Sequence, residues 1–109
     1  MSSRKPPKEK RAKLLREVDY SKSFITDWRR LSESGRYDMN LLKQVMLLLV
    51  AADEPLPAEY KDHPLKGQWE GFRECHIGGD FLLVYKITTR GKQEKVGFTR
   101  AGTHSELFD

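Results

Sequence analysis

A single cysteine, Cys75, stands in 109 residues, so no intrachain disulfide can form and a reducing compartment fits. No apolar run is long enough to span a bilayer. The basic start of the chain is followed by no apolar core of a signal peptide, so a cytoplasmic protein is expected. No Cys-x-x-Cys or His-x-x-x-His pair offers a close metal chelate. Zinc ligation by His63, Cys75, His76 and His104 meets a geometric objection: Cys75 and His76 are neighbours on an expected strand and point to opposite faces. No local signature of a serine or cysteine nucleophile is present, and no internal repeat is visible. These absences set aside disulfide scaffolds, membrane spans, zinc modules and the common hydrolase triads, and neither a metal nor a cofactor is expected.

What is there is charge, unevenly placed. The net charge is +4, yet residues 1–16 hold seven basic side chains against Glu9, while the remainder holds thirteen basic and fifteen acidic. A basic arm is an electrostatic footprint of nucleic-acid binding. It is equally the composition of a solvated tail. Residues 1–13, with Pro6-Pro7 and almost nothing to bury, are expected to be disordered, and residues 14–109 to form one domain.

Periodicity supplies the elements. Leu14 to Tyr20 reads as a first strand with imperfect alternation. Ser21 or Ser23 caps a helix to about Ser34, with Phe24, Trp28 and Leu31 on one face, and Gly35 ends it. Asp38 caps a second helix, about 39–52, with Leu42, Val45, Met46 and Leu49 as its stripe. Pro55 and Pro57 open a polar loop through Gly67. Strands follow at 71–77, 80–87 and 93–101, the first pair joined by a Gly78-Gly79 turn. The expected fold class is α+β: two N-terminal helices on one face of a mainly antiparallel sheet of three to four strands, the other face free.

The second half holds every histidine: His63, His76 and His104. RNA cleavage without a metal needs a base for the ribose 2′-OH, an acid for the leaving 5′-oxygen, and cations or donors for the phosphorane. Histidine titrates near neutrality and can fill either proton role. Arg73, Lys86 and Arg100 can hold phosphate, and Phe72, Phe81 and Phe108 can stack on bases. Taken alone, this inventory equally describes an ordinary solvated sheet face. A tight Gly78-Gly79 hairpin would pair Asp80 with Ile77, which puts Asp80 and His76 on opposite faces.

Three blocks, in order and correctly spaced, carry a resemblance. Pro55-Leu56-Pro57 with Tyr60-Lys61-Asp62-His63-Pro64-Leu65-Lys66-Gly67 and Trp69 is the first. Arg73-Glu74-Cys75-His76-Ile77 with Asp80 through Lys86 is the second. Thr99 through Phe108 is the third. Together they resemble YafQ-type toxins of the RelE superfamily over roughly residues 16–109. The resemblance implies a RelE-like fold and ribosome-dependent cleavage of mRNA in the A site. It also implies neutralisation by a DinJ- or RelB-like antitoxin, and contact with operator DNA only through that antitoxin. The functional set carried over is His63, His76, Asp80, His104 and Phe108. His104 is the first choice for general acid, Asp80 and His76 for activating or orienting the 2′-OH, and His63 for contacting the scissile phosphate or sharing the proton transfer. Arg73, Phe81, Lys86 and Arg100 are the expected RNA contacts. Relatives have Trp where this chain has Phe81, and the basic arm is longer than the family pattern. The competing reading is a non-catalytic module of the same fold that binds RNA, the ribosome or the antitoxin.

Overall fold

The computed structural model describes residues 15–108; the expectation for the arm at 1–13 lies outside them. Strand β1 (Glu17–Tyr20) leads into helix α1 (Lys22–Ser34) and helix α2 (Met39–Ala51). A two-residue strand β2 (His63–Pro64) lies between single 3₁₀ turns at 58–60 and 67–69. Strands β3 (Arg73–Gly78), β4 (Phe81–Arg90) and β5 (Gln93–Gly102) follow, and a short helix α3 (His104–Phe108) closes the described chain.

Local chemistry sets the helix ends. Ser21 Oγ accepts from the Phe24 amide at 2.9 Å and Asp38 Oδ1 from the Leu41 amide at 2.9 Å, each satisfying a donor that the first turn leaves free. Gly35, at φ 71°, ends α1 in the left-handed region.

The sheet order is β1-β5-β4-β3-β2, five strands where three to four were expected. The leading strand pairs parallel with β5, and every other pairing is antiparallel. A strand four residues long carries no pairing signal of its own, and β2 is too short to show a period of two. The main core lies between the helices and one sheet face: Phe24, Leu31, Leu42, Val45 and Leu49 against Cys75, Ile77, Leu83, Tyr85, Val96 and Phe98. Truncating such a leucine to alanine costs about 2–5 kcal/mol.

The opposite face is not free, as the sequence suggested. Leu82, Val84 and Leu107 form a second, smaller cluster there, packed by Leu65, Trp69, Phe72 and Phe108. Helix α3 and the 65–72 segment therefore cover the middle of that face.

Arg16 belongs to the body and not to a solvated tail. Its guanidinium donates to Glu94 Oε1 and to the Leu49 carbonyl, each at 2.8 Å. A second latch is Asp27, 2% exposed. It accepts from Arg100 Nε at 2.7 Å, Arg30 Nη1 at 2.9 Å and the Ala101 amide at 3.0 Å, which fixes α1 to the end of β5. Burial alone would push this carboxyl up, but the bonds from Arg100, Ala101 and Arg30 outweigh it and hold Asp27 below the usual carboxylate value.

Candidate active site

Alternation along β3 sends Cys75 and Ile77 to the helices and Glu74 and His76 to the other face. Cys75 is fully buried, and that burial pushes its thiol up to about 12, which keeps it an inert core residue. Glu74 is buried too, at 4% exposure, and three imidazoles surround it. His63 Nε2 and His76 Nε2 each lie 3.5 Å from Glu74 Oε2, and His104 Nε2 lies 4.0 Å away. The His63 and His76 ring centres are 6.3 Å apart, as are those of His76 and His104. Three histidines spread over forty-two positions of sequence thus share one carboxylate.

Different devices place each ring. Strand β2 pairs His63 with Glu74 across the ladder. Lys61 sits in the left-handed region at φ 49°, and its carbonyl oxygen lies 2.7 Å from His63 Nδ1. A carbonyl can only accept, so Nδ1 carries the hydrogen and Nε2 faces the cluster. On the reverse side of the same two strands, Arg73 donates to Asp62 and Tyr85 donates its hydroxyl to the same carboxylate. Burial first, then the Asp62 bond, pushes the Tyr85 hydroxyl well up. This strap joins the residue before His63 to the residue before Glu74.

The hairpin turn corrects the expected register. A bulge between His76 and Gly78 pairs His76 with Leu82 and Gly78 with Phe81. The turn is therefore Gly79-Asp80, with Gly79 at φ 55°, and not Gly78-Gly79. Freed from the ladder, Asp80 reaches His104: its Oδ1 accepts from the His104 amide at 3.1 Å and from Nδ1 at 2.9 Å. The side-chain bond from His104 is the main cause holding Asp80 below its usual value. Asp80 is thus hydrogen-bonded to His104, and His76 acts on it only through charge.

His104 opens α3, which Leu107 anchors in the smaller core. Strand β5 ends at Gly102, at φ 155°, where an added Cβ would stand 2.5 Å from Glu106 Oε1 and 3.0 Å from Arg30 Nη2. The positive φ favours glycine here, and a side chain would also push the ends of Glu106 and Arg30 aside. Phe108, half-buried, lies 5.8 Å from the His104 ring. A hollow of about 250 Å³ adjoins His76, lined by Leu41, Glu59, Tyr60, Lys61 and the turn glycines.

The structure brings together His63, His76, Asp80, His104 and Phe108. It does not bring in three of the four expected RNA contacts. Arg73 is bound to Asp62 behind the sheet. Arg100 is bound to Asp27. Phe81 is buried against Tyr37 in the main core, its centroid 4.9 Å away, so it cannot stack on a base. Its inward turn follows from the bulge. Lys86 alone of the four is exposed on the histidine face. Glu74 was missed, although a carboxylate two residues before a strand histidine must share its face. Among the described residues no group of three or more His, Cys, Asp or Glu is arranged to hold a metal ion.

The fold, two helices on one side of a mostly antiparallel sheet, is shared with solved structures of bacterial toxins. A family described as bacterial toxin of type II toxin-antitoxin system, YafQ, matches residues 16–109. The chain belongs to this YafQ family. It is 43% identical over 95 residues to the mRNA interferase toxin YafQ of Escherichia coli K12, covering 87% of this chain and 98% of that protein. The crystal structure of the E. coli DinJ-YafQ complex aligns with a TM-score of 0.74 at 42% identity, over 86% of this chain and 99% of the other. A metal-bound toxin from Helicobacter pylori aligns with a TM-score of 0.74 at 43% identity, over 87% of this chain and 100% of its own.

Proposed function

We propose that this chain is the toxin of a toxin–antitoxin pair, an endoribonuclease that cuts mRNA in the ribosomal A site by acid–base chemistry without a metal. The observation that carries the reading is the gathering of three imidazole Nε2 atoms around buried Glu74 on an accessible sheet face. His76 takes the proton of the 2′-OH as that oxygen attacks the adjacent phosphorus, and Glu74 stabilises the imidazolium that forms. His63 faces the scissile phosphate and offers Nε2–H to its oxygens when charged. His104, held through Nδ1 by Asp80, gives a proton from Nε2 to the departing 5′-oxygen. The products are a 2′,3′-cyclic phosphate and a free 5′-hydroxyl. Phe108 backs the His104 ring and presents its half-exposed face to a base.

A DinJ- or RelB-like antitoxin neutralises the chain, and operator DNA is reached only through that partner. The setting is the cytoplasm; no helix among the described residues is long and apolar enough to cross a membrane.

Primer extension on ribosome-bound message tests the reading. The protein should leave discrete cuts in the A site, EDTA should not stop them, and His104→Ala should abolish them while the fold is kept. Binding to ribosomes with no cut at any message would leave only the non-catalytic module.

A further inference from the structure

The histidine face continues beyond the cluster, and its surface changes character in an ordered way. From His104 the rings run in contact: Phe108 at 5.8 Å, then Trp69 5.5 Å from Phe108, then Phe72 5.3 Å from Trp69. All three aromatic rings are half-buried, with their undersides in the smaller core. The Lys86 ammonium stands 5.0 Å over the Phe72 ring.

Past Phe72 the ridge drops into a hollow of about 260 Å³. Phe72, Lys86, Thr88, Lys95, Gly97 and Thr99 line it, with Asp19 and Ser21 at the β1 rim. The register explains its shape. Lys86 faces Gly97 across the ladder and Thr88 faces Lys95, so two lysines flank a position with no side chain. Lys86 and Lys95 are exposed and form no ion pair among the described residues. The Thr88 hydroxyl likewise has no hydrogen bond there. Two cations and a hydroxyl donor line the hollow; the carboxylates nearby are Asp19 at its rim and Glu17, the ladder partner of Lys95. Four residues of β4 separate Lys86 from Leu82, the ladder partner of His76, or about 13 Å at strand spacing.

We propose that this ridge and hollow form a second RNA subsite: bases stack along Phe108, Trp69 and Phe72, and a backbone phosphate away from the cut sits between Lys86 and Lys95. The site rests on the endoribonuclease reading and extends it. Aromatic faces that alternate with cations are what a single strand needs, because every base has a π-face and every linkage a charge. Two lysines at the hollow favour an anionic occupant over an apolar helix of a protein partner. A phosphodiester from the message or from ribosomal RNA has the same chemistry.

The test uses an oligoribonucleotide with a 2′-deoxy residue at the cut position, so that binding is read without cleavage, in a short form spanning the cut and a form extended on both sides. Vacant ribosomes form a second arm. Lys86→Met with Lys95→Met should weaken binding on the order of tenfold at low salt, and should reduce the slope of log K against log salt by about 0.7, the value for the one single-strand phosphate lost. Gly97→Val fills the hollow without removing charge, and its Cβ would meet only the Lys86 carbonyl at 3.9 Å. It should weaken binding as well.

Loss on the extended oligonucleotide but not the short one places the phosphate in the message. Loss on vacant ribosomes places it in ribosomal RNA. Wild-type affinity and slope in both arms would overturn the subsite, as would weakened antitoxin binding with unchanged RNA binding. Wild-type protein that binds RNA yet never cuts a translated message would instead sink the nuclease reading and leave this measurement standing.

Discussion

Asp27 and Glu74 are the two charged side chains buried among the described residues, and their surroundings differ in kind. Asp27 sits between α1 and the end of β5 and is held by two guanidiniums and a backbone amide. Its partners stay charged at any ordinary pH. Glu74 lies under the opposite face, ringed by three imidazoles, the side chains that general acid–base chemistry uses most often. One carboxylate is locked by permanent cations and serves the fold. The other is met by imidazoles at 3.5–4.0 Å, the groups to which the proposed proton transfers are assigned.

Swapping each residue out should separate these two roles. Asp27→Ala leaves Arg100 and the Ala101 amide without a partner, and unfolding in denaturant should show a loss of about 3–5 kcal/mol, with cleavage intact at temperatures where the variant is folded. Glu74→Gln should do the reverse. Its cleavage rate on ribosome-bound message should fall about a hundredfold, the pH–rate profile should change shape, and the unfolding midpoint should move little. If both variants lost stability alike and Glu74→Gln kept its rate when folded, the division would fail.

Asp80→Asn probes the exposed arm of the site. His104 loses the carboxylate that orients it, so the rate should drop roughly tenfold without a measurable change in midpoint, because the pair is solvent-exposed.

The smallest effect is a pH dependence. The folded-state value of Asp27 lies below its ordinary 3.8. Its contribution to stability is therefore complete above that value and is lost as pH falls through the lower, folded one. Urea midpoints should decline with acid in the native chain and decline less in Asp27→Asn. Asp80 is depressed in the same direction, so Asp80→Asn should flatten the curve only slightly.

Much of the frame was legible in the chain. Ser21, Asp38 and Gly35 announce helix ends through their own chemistry, and the Phe24 and Leu42 stripes announce which face is buried. The likeness of residues 55–108 to a known family brought the three histidines together before any coordinates did. What was illegible depends on partners distant in sequence. Nothing near Arg100 reveals that Asp27, seventy-three positions earlier, will bind it. Nothing near Arg73 announces Asp62. The one-residue bulge at 77–78 decided both the inward turn of Phe81 and the outward swing of Asp80, because a shift of one position exchanges the faces of a strand. Glu74 was readable from simple alternation and was passed over because it is not a histidine.

Arg30 has a wider consequence. Its guanidinium reaches Asp27 with one nitrogen and Glu106 with the other, at 2.9 and 3.2 Å, close over Gly102. The first helix and the last turn of the described chain are thus riveted through one side chain. Fraying of α1 would travel to His104, so amide exchange should find residues near 30 and near 104 opening as one cooperative unit. The cutting arm is then as durable as the helix it leans on.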